Sequence, residues 1–479
     1  MRVLAAFFFN VLCNFAIGLL VARFLGPAEY GRFALAFAVA VAVQSAFFDC
    51  LKLGATRFYS ERVRTENPTL RATLDVSFIT IALSIGVASS VMFLSGAHFK
   101  LSNGLIALAL VTAVSNGVFD YNTALVRARF HDQLYTRLVL VKNALALLLT
   151  GGGAFIFHSA TMALAGSILS MSGAVITARA ALRDHGTTRQ HASLATAKLI
   201  FSYSLPIVCA NVLYLSIPLA NRAIVATLYG FSETGQFSLA FDLGSKAIQA
   251  IGSTLDVVLF QIAVALHEQH GPSKARTQVA RNMAIVIAVV LPACTGIWLT
   301  LPSVENVVVP VAYRGPFGQL LTLMMAGLFS SAIVQFGINP IFQIAKRTAP
   351  LIAAAVIACL VDALLIVVLP KNSDASSLAI AQTGAYIAGL IALVVMASFT
   401  KPQWPRPRDL ALAALATAAM AAALLPLRER HPGLLTLVEQ VTAGTLIYCF
   451  FVYVFDIANL REVAVARLRP ILARLQASS

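Results

Sequence analysis

The chain has 479 residues, of which 59% are apolar and only 11% are charged, and its mean hydropathy is +0.83. Soluble domains carry roughly 25% charged residues, so this composition excludes a soluble protein and indicates a membrane protein. The net charge of +15 does not require a nucleic-acid partner, because Lys and Arg also set the orientation of membrane proteins.

Apolar runs long enough to cross about 30 Å of hydrocarbon follow one another along the whole chain. They predict an all-α polytopic membrane protein with about fourteen transmembrane helices. The first run follows Arg2 like a secretory signal, but no small-x-small cleavage site precedes Arg23, so we expect it to stay on the protein. The predicted spans are 3–22, 34–56, 75–95, 104–125, 138–158, 160–178, 199–220, 237–263, 282–303, 318–343, 349–370, 375–398, 409–426 and 434–456.

The distribution of Lys and Arg over the connections predicts the orientation of these helices. Alternate connections and the two chain ends together hold 24 of the 35 basic residues, whereas the opposite connections hold 8. Because Lys and Arg are retained on the cytoplasmic side, both termini are predicted to be cytoplasmic. The last segment, 457–479, alternates apolar residues with Arg and is predicted to be a basic amphipathic tail on the cytoplasmic surface.

A motif after the first span is repeated after the seventh. VARFLGPAEYGRFALAF begins at Val21 and VATLYGFSETGQFSLAF begins at Val225, and a fainter echo links NTALVRAR from Asn122 with NPIFQIAK from Asn339. The interval between the two long copies spans about six helices, and an even number leaves both copies in the same orientation. The repeat therefore predicts two pseudo-symmetric six-helix bundles, 1–198 and 199–400, with a substrate path between them. Two additional helices, 401–456, and the tail complete the predicted organisation.

The two motif copies resemble the pattern of bacterial polysaccharide flippases. The first copy contains ARFLGPAEYGRFALA, and the second reads G-x-x-E-x-G-x-F-S-L-A and follows Asn221 and Arg222. These flippases belong to the multidrug/oligosaccharidyl-lipid/polysaccharide exporter superfamily, and relatives tend to carry Asp at the position of Asn221. The resemblance implies a transporter of the cell inner membrane, not an enzyme, that moves undecaprenyl-diphosphate-linked oligosaccharide repeat units by alternating access. The translocated units would serve exopolysaccharide, capsule or O-antigen synthesis, and the resemblance implies a polysaccharide polymerase as a possible partner.

Two predicted spans carry polar stripes at helical spacing, so each stripe lies on one helix face. The stripes are Ser45, Asp49, Lys52 and Thr56 in the second span and Asp242, Lys246, Gln249, Ser253 and Asp256 in the eighth. The repeat maps the first stripe onto the second. We expect both faces to line a central cavity, where Lys52 and Lys246 bind the anionic diphosphate. Alternatively, Asp49 with Lys52 and Asp242 with Lys246 are ion pairs that neutralise each other.

Further ionisable residues in or beside the spans complete the candidate sites, because charges in hydrocarbon are costly and usually functional. Additional candidates for substrate binding are Lys142, Arg222 and Arg57. Candidates for coupling to an ion are Asp49, Asp242, Asp256, Asp120 and Asp362. For Asp120 and Asp362, a structural hydrogen bond between helices is the open alternative.

The sequence gives little indication of ATP hydrolysis, metal binding or catalysis. None of the nine lysines follows a glycine, so a P-loop is excluded and an ion gradient or later polymerisation is the expected energy source. The six cysteines show no metal-ligand spacing, and no cofactor, metal or catalytic residue is predicted. Two alternatives remain: a multidrug or cation antiporter of the same superfamily, and a membrane-embedded polymerase or glycosyltransferase. The intramembrane lysines disfavour the first, and short outer loops without a DxD motif disfavour the second.

Overall fold

The computed structural model describes residues 2–66, 68–95, 100–184, 188–345, 347–370, 374–400, 402–459 and 461. In this part of the chain every secondary-structure element is helical. The α-helices are α1 (Arg2–Phe58), α2 (Glu61–Glu66), α3 (Pro68–Leu94), α4 (Asn103–Ala128), α5 (Asp132–Leu145), α6 (Gly152–Phe157), α7 (Ala160–Thr177), α8 (Arg179–Leu182), α9 (Leu194–Leu228), α10 (Phe231–His270), α11 (Pro272–Val307), α12 (Pro316–Ala332), α13 (Asn339–Ile344), α14 (Ala349–Val368), α15 (Ser376–Ser398), α16 (Pro407–Arg428) and α17 (Leu434–Phe455). Two π-helical stretches, Ala146–Gly151 and Ile333–Ile338, join α5 to α6 and α12 to α13.

Within the described residues, thirteen helical segments are long and apolar enough to cross a membrane. The first of them, Phe9–Phe58, has 50 residues, and a continuous helix of that length would measure about 75 Å. Gly26 interrupts it with φ 69° and ψ 171°, and Pro27 follows at the start of the next helical stretch. The segment therefore contains the first two predicted spans, which accounts for the expected number of about fourteen. The prediction of an all-α polytopic membrane protein is confirmed.

The chain divides into two compact units. The first contains Met1–Leu239 and Leu369–Leu378, and the second contains Ala240–Val368 and Ala379–Ser479. The four domains expected from the repeat are defined by equivalent helices, not by compactness, and they remain predictions. Of the predicted tail, only 457–459 and 461 lie within the described residues.

Small residues allow close helix packing within the core of each unit. In the first unit, Ala36 and Ala40 of α1 and Ala109 and Ala113 of α4 are fully buried in one cluster. In the second unit, alanines of α11 and α16 do the same: Ala284, Ala288, Ala413 and Ala416. The hydrophobic effect does not drive apolar helices together in a hydrocarbon solvent. Their association therefore depends on such close van der Waals contact.

Candidate functional site

The two motif copies contact each other within the first unit. A Cβ atom on Gly31 would overlap the carbonyl oxygen of Phe231, and one on Gly235 would overlap the carbonyl oxygen of Pro27. The repeat pairs Gly31 with Gly235 and Pro27 with Phe231, so the contact is reciprocal. Both motif copies need glycine at this position because the backbone of the other copy occupies the space that a side chain would fill.

The glutamates of the two copies also have equivalent roles. Glu29 accepts a hydrogen bond from the backbone nitrogen of Ala160 at 3.0 Å, at the first residue of α7. Glu233 accepts one from the backbone of Ala375, immediately before α15. A carboxylate is favourable at a helix N-terminus, where backbone N–H groups lack helical partners. The motif therefore stabilises the fold.

Lys52 of α1 lies in a cluster of polar side chains from α1 and α4. Its Nζ atom is 2.7 Å from Oδ2 of Asp120 in α4 and 3.9 Å from Oδ1 of Asp49. Gln44 donates to the same Asp120 oxygen at 3.2 Å, and Ser45 donates to Asp49 at 2.5 Å. The sequence pattern indicated Asp49 as the partner of Lys52, but the shorter ion pair is with Asp120 on another helix.

The Lys52 cluster combines two carboxylates with one ammonium group. The side chains of Lys52, Asp49 and Asp120 are 42%, 18% and 33% exposed. This partial exposure leaves the ammonium accessible to a second anion.

Lys142 of α5 lies in a different environment, surrounded by amide groups. It is 7% exposed and donates hydrogen bonds to Oδ1 of Asn10 at 3.3 Å and Oδ1 of Asn14 at 3.1 Å, both in α1. Asn143 also donates to Asn10, at 3.1 Å. The amide oxygens stabilise the buried ammonium group and connect α5 with the first part of α1.

The two candidate arginines differ in burial. Arg222 of α9 is 5% exposed, and its Nη1 atom lies 3.4 Å from the carbonyl oxygen of Ala34. Arg57, at the end of α1, is exposed, and its guanidinium group lies 6.0 Å from the ring centre of Tyr203. Arg222 therefore contacts the backbone of the first motif copy, whereas Arg57 lies at an exposed helix end that a ligand can reach from the aqueous phase.

The candidate residues of the second unit lie on α10 and α14. Lys246 is exposed, and its ammonium group forms no ion pair or hydrogen bond with another described residue. Asp242 and Asp256 are half-buried. Asp362 of α14 is 3% exposed and makes a polar interaction. Among the described residues of this unit, no ion pair joins Asp242 to Lys246, so the ammonium of Lys246 is available to a ligand.

A second polar cluster lies beyond the end of α1, where several helices of the first unit end. Asp184 accepts hydrogen bonds from the hydroxyl of Tyr59 and from Nε of Arg64, the latter at 2.7 Å, and Nη1 of Arg129 lies 4.0 Å away. Glu61 accepts from Arg64 at 2.7 Å and from Arg129 at 2.9 Å. We call these five residues the Asp184 cluster.

The Asp184 cluster shifts the pKa values of its members. Burial, together with the hydrogen bond to Asp184, raises the pKa of the Tyr59 hydroxyl. Burial alone would raise the pKa of Glu61, but the hydrogen bonds from Arg64 and Arg129 outweigh it and lower that pKa. The cluster therefore favours charged Glu61 and neutral Tyr59, and it connects α2 with the segments that follow α1, α4 and α8.

Several residues of these sites were not predicted from the sequence. Gln44 binds Asp120, Asn10 and Asn14 hold Lys142, and Asp184 joins two arginines. The spacing of Asn10 and Asn14, one helical turn apart in an apolar span, was a usable signal. Gln44 immediately precedes the polar stripe, and Asp184 gave no signal because its partners are distant in the sequence.

Comparison with protein families decides the affiliation of the chain. The family model described as "Polysaccharide biosynthesis protein" matches residues 20–313. The chain belongs to this family. The matched region includes both motif copies, so the resemblance found from them is confirmed. No match was found among curated proteins.

Solved structures of transporters share the fold. The lipid II flippase MurJ in an inward closed conformation is 16% identical, with a TM-score of 0.69 over 95% of this chain and 98% of that chain. A multidrug resistance MATE family transporter of the MOP superfamily in an inward-facing conformation is 16% identical, with a TM-score of 0.54 over 82% of this chain and 95% of that chain. An outward-facing MATE family structure is 15% identical, with a TM-score of 0.52, 84% and 95% of the respective chains being covered. This chain is therefore a multi-pass membrane protein, and its fold is shared with these flippase and transporter structures.

Proposed function

We propose that this protein is a flippase that moves an undecaprenyl-diphosphate-linked oligosaccharide repeat unit across the cell inner membrane. The family affiliation supports a role in polysaccharide synthesis, and the transporter fold supports movement of a substrate over catalysis. The observation that supports an anionic substrate is the exposed ammonium group of Lys246 in α10, which has no partner among the described residues. An unpaired cation in such a position is costly unless a ligand or water compensates it.

In this proposal Lys246 and the Lys52 cluster bind the diphosphate at different stages of an alternating-access cycle. Lys246 is ready to bind an anion, whereas Lys52 is held by Asp120 and must exchange that carboxylate for the substrate. Arg57 and Arg222 are proposed to contact the substrate near the two ends of its path, and Lys142 is proposed to contribute positive potential from within the bundle. Both termini are proposed to be cytoplasmic, from the distribution of basic residues.

An ion gradient is the proposed energy source, with Asp49, Asp120, Asp242, Asp256 and Asp362 as candidate coupling groups. The Lys52 cluster contains one more carboxylate than ammonium groups. A proton bound there would weaken the hold of the carboxylates on Lys52 and release its ammonium group for the substrate. Association with a polymerase would consume the delivered units.

The double variant Lys52→Gln with Lys246→Gln tests the proposal. We expect surface polysaccharide to be lost and the lipid-linked unit to accumulate on the cytoplasmic leaflet, while protein levels in the membrane are unchanged. The matched control is Lys198→Gln with Lys274→Gln, which removes the same charge from exposed helix-end positions. Normal glycan output from the first variant would overturn the assignment, and a changed drug susceptibility with normal glycan would favour a drug exporter.

The exchanged pair Lys52→Asp with Asp120→Lys separates a structural role of Lys52 from substrate binding. The exchange keeps an ion pair between α1 and α4 but moves the ammonium to α4. If Lys52 binds the substrate, the unfolding temperature is retained and transport is lost. Retained transport would show that the ion pair is only structural.

A further inference from the structure

A basic cavity lies at one end of the helices in the second unit. Its volume is about 250 Å³, and the ends of α10, α11 and α13 line it together with the segment after α15. Cavities for drug-sized ligands measure about 300–1,000 Å³, so this one fits a smaller group. We call it the arginine cavity after Arg276 and Arg347, two of its lining residues.

The arginine cavity carries positive charge that no described carboxylate in its wall compensates. Arg276 belongs to the first turns of α11 and Arg347 follows α13; both are exposed, and neither forms an ion pair with another described residue. In the described part of the chain, no Asp or Glu lines the cavity. Arg64 in the first unit, by contrast, binds the carboxylate of Asp184. Two guanidinium groups beside an open cavity favour a planar or tetrahedral anion.

Other donors point to the same ligand. Nδ1 of His267, which lines the cavity, is buried and has no hydrogen-bond partner among the described residues. The helix α11 begins beside it at Pro272, and Gly271 supplies no side-chain cap. The free N–H groups of a helix N-terminus favour anions. Thr400 and Gln403 add neutral polar groups to the wall.

We propose that the arginine cavity binds a phosphate-bearing anion. Two sources share this chemistry: the headgroup of an anionic membrane lipid and a free phosphate compound. The residues that line the cavity lie at the ends of apolar helices or directly beyond them, so we expect the cavity near the level of lipid headgroups. Its wall also contains Val279, Ile341 and Phe342, which can contact the acyl-glycerol part of a lipid. None of the residues proposed above for substrate binding or ion coupling is among the described residues that line this cavity.

Binding of defined probes to the purified full-length protein tests the proposal. The probes are dihexanoyl-phosphatidylglycerol, dihexanoyl-phosphatidylcholine and inorganic pyrophosphate, with the dissociation constant measured by calorimetry. We expect an anionic probe to bind and the double variant Arg276→Gln with Arg347→Gln to raise its dissociation constant at least about tenfold, because each guanidinium contributes a charge-assisted hydrogen bond. The control Lys274→Gln with Arg408→Gln removes equal charge from exposed positions that do not line the cavity.

The pattern of binding assigns the source or rejects the site. Tight phosphatidylglycerol with weak phosphatidylcholine and pyrophosphate indicates a lipid headgroup; tight pyrophosphate alone indicates a soluble phosphate compound. An equal loss in the control would show that binding reflects general charge, and no difference between wild type and the arginine variant would show that the cavity is not the site. Unliganded unfolding temperatures of all variants verify that each is folded.

Discussion

Removal of the Asp184 carboxylate should destabilise the first unit more than its position in a connection suggests. The side chain of Asp184 is only 2% exposed, and that of Arg129 beside it is 7% exposed. In Asp184→Ala the hydroxyl of Tyr59 and one donor of Arg64 lose their acceptor in a buried setting. Buried donors without partners cost far more than exposed ones, because water cannot replace the lost bond.

The structure allows an estimate of the loss. A hydrogen bond to a charged group contributes about 1.5–3 kcal/mol, and removing one member of a buried ion pair costs about 3–5 kcal/mol. Glu61 still binds both arginines in the variant, at 2.7 and 2.9 Å. This remaining partner reduces the cost, so we expect Asp184→Ala to lower the free energy of unfolding by about 3 kcal/mol.

Thermal unfolding of the purified protein in detergent is the assay. For a chain of 479 residues, about 3 kcal/mol corresponds to a fall of roughly 3 °C in the unfolding temperature. The control is Glu66→Ala, which breaks the ion pair between Glu66 and Arg62. The side chain of Arg62 is 82% exposed and that of Glu66 is 60% exposed, and such an exposed pair contributes at most about 1 kcal/mol. If both variants shift the unfolding temperature equally, the Asp184 cluster does not stabilise the unit and the reasoning is refuted.

Two further predictions concern the same unit. Gly31→Ala should lower the unfolding temperature and the yield of monodisperse protein, because the new Cβ would overlap a backbone carbonyl that cannot move aside; Gly86→Ala, with no atom within 4 Å of its Cβ, is the control, and equal stability of the two variants would contradict the close contact. The lowered pKa of Glu61 means that its contribution to stability is complete above its ordinary value of 4.5 and is lost as the pH falls through the lower folded value. The wild-type unfolding temperature should therefore decline in acid more steeply than that of Glu61→Gln, and identical pH profiles would disprove the assignment.

The sequence was sufficient for features that depend on local composition. Runs of apolar residues predicted the spans, because hydrocarbon thickness sets the length of each run independently of its neighbours. The repeat showed that two segments of the chain are equivalent in sequence, and their contacts in the structure are equivalent too: Gly31 and Gly235 meet reciprocally, and Glu29 and Glu233 each bind the start of a helix. These inferences needed no knowledge of which helices pack together.

The sites required the tertiary structure because their members come from different helices. Helical spacing shows that Asp49 and Lys52 share a face, but only the packing of α4 against α1 brings Asp120 to 2.7 Å from that lysine. Likewise Lys142 meets Asn14 only because α5 lies beside α1. The spacing of polar residues limits what one helix face can present, and it contains no information on the facing helix.

The sequence alone thus determined that the protein lies in a membrane, how its spans are arranged along the chain and which family it resembles, because hydropathy and a repeated motif are read along one dimension. The tertiary structure decided which charges are neutralised: it gave Lys52 a carboxylate partner, and it gave Lys246 and the two arginines of the cavity no carboxylate partner among the residues that the structure describes. The physical reason is that the electrostatic state of a side chain depends on atoms within a few ångströms, and in a helical membrane protein those atoms belong mostly to other helices.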